Sequence, residues 1–495
     1  MCHDAAVGRH AVRAAHPGVL IAVLAAAGIS VSLTQTLMIP LIPELPALLN
    51  TSPANASWTI TVTLLTAAVA TPVFGRLGDM HGPKPMLMIC AGIMAFGSFL
   101  AAVSSSLVPF IIGRGLQGMS LPIIPLAISV LRSALPADRV GPAMGLISSS
   151  LGVGGALGLP LSAVIAQKAD WHVLFWSAAA LGIVALLLFG FLVPDVPPSS
   201  ADRFDPLGTL LLAVALIALL LPISKGSTWG WTSATTLSLF AVSTVVFAVF
   251  ARWQFRTPAP IVDLRTTLRR PVLTTNIAAV LVCFSMFALS LVAPQILELP
   301  TGTGFGLGQS MLQAGLWMAP GGLAMMAASP LAARLAGRRG PKFTLVCGSA
   351  IIGVAYLGAV WLIGSPAAVM VANIAISLGV GFAYSSLPAL INAAVPMSET
   401  AAANGINALA RSLGTSISSA VIGVVLASMT ISYGGHTVPS LQGLQTALLI
   451  AAGVAALAAV VSLTIPTAAA PEADADSSDW PSEEAELTGD PLVRG

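Results

Sequence analysis

Charge is what this chain has least of. Only 8% of its 495 residues are Asp, Glu, Lys or Arg, against about 25% in a soluble globular chain, so it cannot cover itself with a polar surface. Histidine and cysteine are scarce as well. His3, His10, His16, His81, His172 and His436 all fall outside the centres of the apolar runs, which argues against a buried His-based metal or catalytic site. Cys2, Cys90, Cys283 and Cys347 lack metal-ligand spacing, and the three within apolar runs are expected to be inert packing. There is no G-x-x-x-x-G-K-[ST] phosphate loop, which disfavours an ATP-driven pump. Neither metal nor organic cofactor is expected.

What the chain does have is hydrocarbon. It is 56% hydrophobic with a mean hydropathy of +0.92. Fourteen runs approach the length of about 20 residues that crosses a bilayer core, beginning at 18–43 and ending at 440–465. The expectation is an all-α integral membrane protein. Residues 1–17 form a cytoplasmic N-terminus, 18–193 a six-helix half, 206–252 a two-helix insert, 271–465 a second six-helix half, and 466–495 an acidic cytoplasmic tail. From Pro471 that tail holds eight acids and one Arg with few large apolar residues, a composition that does not fold. The basic residues before the first run resemble a signal peptide, but no convincing cleavage site follows, so the run reads as a retained first helix.

Orientation follows from the cations. Placing both termini in the cytoplasm leaves sixteen Lys and Arg in the N-terminus and inside loops, and only Lys168 and Lys225 in the outside loops. A bias of that size sets topology, and it predicts a multi-pass protein of the plasma membrane with both termini inside. Trp58, Trp171, Trp229, Trp231 and Trp361 fall near outer ends and Trp253 near an inner end, as interface anchors do.

The chain also repeats. Gly82-Pro83-Lys84 recurs as Gly340-Pro341-Lys342, Glu44-Leu45-Pro46 as Glu298-Leu299-Pro300, and Ala143-Met-Gly as Ala403-Asn-Gly, at offsets of 258, 254 and 260 residues. Three ordered pairs at nearly constant offset mean that six helices recur as six, an architecture of secondary transporters with the binding site between the halves.

Four charged or titratable side chains gather in "GRLGDMHGPKP", Gly75–Pro85, at the turn between the second and third runs. Gly75, Gly78 and Gly82 permit a tight turn and close helix approach. Asp79 can accept hydrogen bonds from the N-terminus of a neighbouring helix or pair with Arg76 or Lys84. Such a knot either latches one gating state or fixes topology by its charge. Arg114 lies about seven residues into its run, where an Arg costs about 2.5–3.5 kcal/mol unless it faces a cavity or a partner; Gln117, one turn on, shares its face. Arg411, with Asn407 one turn before it, fits either a cavity or the cytoplasmic interface. Glu44 and Glu298 sit symmetrically at the outer rim, where partial burial would suit proton exchange and an exposed rim acid is the alternative. In the tenth run Gln313 and Trp317 pair at one-turn spacing among Met311, Met318, Met325 and Met326, residue types that suit a promiscuous apolar cavity or simply a lipid-facing helix.

"GRLGDMHGPKPML" resembles the signature loop of the major facilitator superfamily. "RGLQGMS", Arg114–Ser120, resembles its helix-four signature, and "GVGGALGLP", with Gly152, Gly154, Gly155, Gly158 and Pro160, the helix-five signature of the antiporter branch. "RFDPLG", Arg203–Gly208, is similar to the fourteen-helix drug:proton antiporters. The resemblance spans about residues 18–465. It implies a major-facilitator-type fold of two six-helix halves plus two central helices. It also implies a gating role for Gly75, Arg76, Asp79, Gly82 and Lys84 with Arg338, Arg339, Gly340 and Lys342 in the second copy, and a coupling or substrate cavity reached by Arg114, Gln117, Thr34 and Gln35. The sequence departs from the family at Met80 and Pro83, where basic residues are usual, at Gly337, where the second copy lacks the acid, and at Thr34, where a first-helix carboxylate is common. The Asp79 copy is therefore expected to carry the latch.

These readings converge on a secondary active transporter, a proton-coupled exporter of apolar or amphipathic small molecules. The alternatives are a lipid or metabolite exporter without classical proton coupling and a membrane-embedded enzyme, the last opposed by the scarcity of titratable groups within the runs. A monomer in the bilayer, acting on a small molecule and not on nucleic acid, is expected. The glycine-rich fifth helix is expected to pack against its repeat mate and bend at Pro160.

Overall fold

A computed structural model describes residues 17–38, 41, 45–56, 58–198, 203–361, 363–396, 399–433 and 436–466. Glu44, the first sixteen residues and the acidic tail from 467 lie outside them. Among the described residues thirteen helices are long and apolar enough to cross a membrane. One of them, Met311–Trp361, contains Gly340 in a non-helical conformation (φ 84°, ψ 157°), so it is two spans and the total is fourteen. In chain order they are α1 (Pro17–Thr36), α2 (Trp58–His81), α3 (Pro83–Ala102), α4 (Leu107–Gly118 continued by Ile123–Ala134), α5 (Ala137–Lys168), α6 (His172–Leu192), α7 (Pro206–Trp229) and α8 (Ala234–Gln254). Then come α9 (Arg270–Glu298), α10 and α11 (Met311–Trp361 before and after Gly340), α12 (Pro366–Ala394), α13 (Thr400–Ser428) and α14 (Leu441–Leu463). The short antiparallel pair β1 (Thr430–Tyr433) and β2 (His436–Pro439) joins α13 to α14, with Thr430 opposite Pro439.

Helix ends follow local chemistry. The first apolar run reads on to 43, yet α1 stops at Thr36, ahead of Pro40 and Pro43, neither of which has an N–H to donate. The break in α4 falls just before Pro122, and there the Gln117 carbonyl accepts from both the Ser120 N–H (3.1 Å) and the Ser120 hydroxyl (2.7 Å). Asp205 caps α7 through the Gly208 N–H (2.8 Å) and also accepts from Trp253 Nε1 (3.0 Å) and Gln254 Nε2 (2.9 Å). The Arg203–Gly208 motif thus ties the start of α7 to the end of α8.

Buried apolar side chains gather in separate clusters. Two are built from residues of α1–α6 and the segment after α1, and one mainly from α9–α14. A fourth, with Leu212, Leu216, Leu220 and Phe250 against Ala68 and Leu409, lays the α7–α8 pair over α2 and α13. Lys225 is not in a loop, as its charge suggested. It belongs to α7, is 3% exposed, and its ammonium lies 4.6 Å from the centroid of Trp58. The aromatic face and the neighbouring Trp229 let α7 continue past the end of its apolar run.

The fifth helix also differs from expectation. It packs on α1 and α10, not on α13, its repeat mate. In return α2, the repeat mate of α10, packs on α13. A two-fold relation between repeats brings each helix against the mate of its opposite number, and the sequence offset alone does not reveal that exchange.

Candidate functional site

Two contact seams run between the repeats. In the first, α2 meets α13 at the end of the bundle that carries both Gly-Pro-Lys turns, called the basic end below. Asp79 is 1% exposed and accepts from the backbone N–H of Ala401 (Oδ1, 3.1 Å) and Ala402 (Oδ2, 2.9 Å). These are the second and third residues of α13, whose N–H groups have no partner inside the helix. Asp79 therefore does for α13 what an N-cap side chain does, but from another helix 322 residues away, and its charge lies at the positive end of the helix dipole. The helix N-terminus, one of the partners the sequence allowed, is found. Lys84 instead pairs with Asp195 at 3.2 Å.

The approach depends on small residues. A Cβ on Gly75 would lie 2.9 Å from the Ala401 carbonyl oxygen, and one on Gly78 2.3 Å from a Leu126 methyl. Arg132 reinforces the seam by donating to Thr400 Oγ1 and to the Val395 carbonyl (3.3 Å). Beside it, Asn392 accepts from Asn404 (2.6 Å) and donates to Met144 Sδ (3.3 Å). Arg76 is buried next to these groups and lines a cavity of about 150 Å³ with Asp263, Glu399 and Thr266. Arg338 and Arg339 of the second copy are exposed, Arg339 lying over Phe343 at 5.0 Å; Gly337 has open space around it.

The second seam joins α5 to α10 through small residues. The Ser149 and Ser329 hydroxyls are 2.5 Å apart, and Ser329 donates to the Gly145 carbonyl at 2.9 Å. Gly152 faces Met325, and Pro160 faces Gly315. Gly154 and Gly158 point the other way, against Ile29, Ser32 and Thr36 of α1, while Gly155 touches α1 more loosely. The helix-five glycines are thus a two-sided packing surface, and Met325, 4% exposed, belongs to that packing.

Within α1–α6 the structure brings Arg114, Gln117 and Thr34 together. Arg114 is 2% exposed, so its side chain does not snorkel. It donates to Gln117 Oε1 (2.6 Å), the Thr34 carbonyl (3.4 Å) and the Thr59 carbonyl (3.5 Å). Gln117 passes the chain on to Ser98 (2.8 Å). Every one of these acceptors is neutral. Gln35 is half-buried one residue beyond Thr34.

The second repeat holds a polar group of its own, on different helices, that the sequence only partly disclosed. Asn407 donates to Asn276 Oδ1 (2.9 Å), the Arg411 guanidinium carbon lies over the Tyr384 ring at 5.1 Å from its centroid, and the Tyr384 hydroxyl meets Cys283 Sγ at 3.1 Å. Arg411 is 8% exposed and eleven residues into α13, roughly 16 Å along the axis. Of the two positions considered, it takes the interior one. Asn276, Cys283 and Tyr384 were missed because no local spacing links α9 and α12 to α13.

Three further candidates have local partners or are exposed. Gln313 is exposed, and its amide oxygen accepts from Ser310 N–H (2.9 Å) while its own N–H donates to Ser310 Oγ (3.3 Å). That is a capping box, and its S-x-x-Q signature was legible at Ser310–Gln313. Trp317 turns from Gln313 and donates to Gln309 (3.1 Å). Glu298 is exposed at the last residue of α9, a rim carboxylate. Among the described residues no group of His, Cys, Asp and Glu is placed to hold a metal.

Comparison with known proteins bears on the family and the fold. The family described as Major Facilitator Superfamily matches residues 24–419. The chain is 25% identical over 402 residues to the tetracenomycin C resistance and export protein of Streptomyces glaucescens, covering 80% of this chain and 74% of that one. It is 26% identical over 378 residues to the multidrug resistance protein Stp of Mycobacterium tuberculosis, covering 75% and 68%. In structure it is similar to the human organic anion transporter MFSD10, with a TM-score of 0.64 over 90% of this chain and 99% of that chain, at 16% identity; at that identity the likeness speaks to the fold.

Proposed function

The chain belongs to the Major Facilitator Superfamily and is a membrane transporter, not an enzyme, and on that premise we propose that it is a secondary active exporter of apolar or amphipathic small molecules. It works by alternating access, with inward proton flow as the drive. The observation that carries this reading is the Asp79 carboxylate capping α13 from α2. Asp79 satisfies these two backbone N–H groups only while the two helices touch at the basic end, so the contact stabilises one gate state over another. The sixteen-to-two cation bias supports a basic end in the cytoplasm, with both termini on that side of the plasma membrane. The state described is then closed to the cytoplasm. Export, rather than uptake, is supported by relatives named for resistance and export. The chain is taken to act as a monomer.

A second reading has its own observation. Thr34 stands where a first-helix carboxylate is common, and Arg114 beside it is bonded to neutral acceptors alone. An exporter of lipids or metabolites without classical proton coupling fits that pair of facts.

Reconstitution in vesicles with an imposed pH gradient separates the two. Accumulation of a fluorescent lipophilic dye that collapses when the gradient is dissipated, and that Arg114→Ala abolishes, is the expected result. Accumulation indifferent to the gradient selects the second reading. Failure to move dyes, lipids or metabolites under any gradient overturns export altogether.

A further inference from the structure

Arg411 is the one buried guanidinium whose needs the fold leaves unmet among the described residues. Its Nη1 is fully buried and has no hydrogen-bond acceptor there, and no carboxylate pairs with it. Arg114 makes the contrast. Its guanidinium is deeper still, yet three acceptors surround it. A charge held this far inside a membrane protein is costly unless it is paired, and a guanidinium stays cationic throughout the working pH range.

What surrounds Arg411 is built to orient it without neutralising it. The Tyr384 ring of α12 lies 5.1 Å from the guanidinium carbon, which steadies the cation through the ring face but supplies no acceptor to the buried Nη1. The ring itself is held by its hydroxyl contact with Cys283 of α9. One turn before Arg411, Asn407 is fixed by Asn276, also of α9. Three helices therefore hold a forked donor in place, and the acceptor such a fork matches is a planar oxyanion.

We propose that Arg411 binds the anionic end of the transported compound, a carboxylate on an otherwise lipophilic molecule, with Tyr384 and Asn407 fixing the fork. This rests on the export reading for its context, but the binding step is testable without it. The probes are pyrenebutyrate and its methyl ester, which differ by one charge, titrated by fluorescence against the full chain in nanodiscs. The wild type is expected to prefer the carboxylate by roughly ten- to hundredfold, the worth of a hydrogen bond to a charged group. Arg411→Gln is expected to erase the preference while leaving ester affinity within about twofold, and Arg114→Gln to keep it.

No preference in the wild type, a preference that survives Arg411→Gln, or one that vanishes in Arg114→Gln instead overturns the proposal. Ester binding reports whether Arg411→Gln is folded. If it is not, Arg411→Lys decides, because it keeps the charge and loses the fork: the preference must fall severalfold, and an unchanged ratio counts against the site. Vesicle transport of both probes is the separate arm. A wild type that prefers the carboxylate yet moves neither probe sinks the export reading and leaves the site standing.

Discussion

The two Gly-Pro-Lys turns are copies in sequence and in backbone, and they do different work. Gly82 (φ 88°, ψ 146°) and Gly340 (φ 84°, ψ 157°) adopt the same conformation, one that essentially only glycine tolerates. Each is followed by a proline at the start of the next helix. The copies diverge in the turns before them. Gly75, Gly78 and Asp79 in the first correspond to Ala333, Ala336 and Gly337 in the second. Gly75 lets α2 reach α13, Gly78 lets it reach Leu126 of α4, and the carboxylate caps α13. The alanines and the missing acid leave α10 without that contact, and Gly337 and Gly340 have open space around them. The turn itself is repeated, and the side chains one turn earlier decide whether it also ties two helices together.

The sharpest way to break this comparison is to move the acid. Asp79→Asn removes the charge and one of the two acceptor oxygens, and transport is expected to fall by about tenfold or more, read as initial dye flux in vesicles. Adding Gly337→Asp to that variant is expected not to restore it; rescue would mean the copies are interchangeable. A smaller effect should follow from exchanging the small residues. Gly75→Ala places a methyl 2.9 Å from a backbone oxygen and should cost about 1–3 kcal/mol by overpacking, seen as a lower melting temperature in nanodiscs. Ala333→Gly, its counterpart, meets no such obstacle and should cost only the helix propensity of glycine, about 1 kcal/mol. Least affected should be the double change Arg338→Ala with Arg339→Ala. Both side chains are exposed, so melting should move by less than about 0.5 kcal/mol in equivalent stability. A large loss there would assign the second copy a structural duty that its geometry does not show.

Some of the site was legible from spacing alone. Arg114 and Gln117 were expected to share a face and are hydrogen-bonded, because residues three apart on a helix are neighbours whatever surrounds them. The capping box of Ser310 and Gln313 is equally local, but the Gln313–Trp317 spacing pointed to a cavity or a lipid-facing helix and not to a cap. The Lys225 misplacement has another cause. Its charge ends an apolar run, but Trp58 covers it from α2, and that contact lies 167 residues away.

By itself the sequence determined the class of the molecule. Too little charge for a water-facing surface, fourteen long apolar runs and glycines before prolines force helices that span a bilayer and turn where they do, since each consequence depends on residues within one or two turns. Tertiary structure decided the partners. That Asp79 finds two N–H groups of α13, that α5 meets α10 rather than its own mate, and that Arg114 is fully bonded while Arg411 keeps a free donor all depend on which helices lie side by side. Contacts across hundreds of residues are set by the packing of whole helix faces, and no local spacing encodes them.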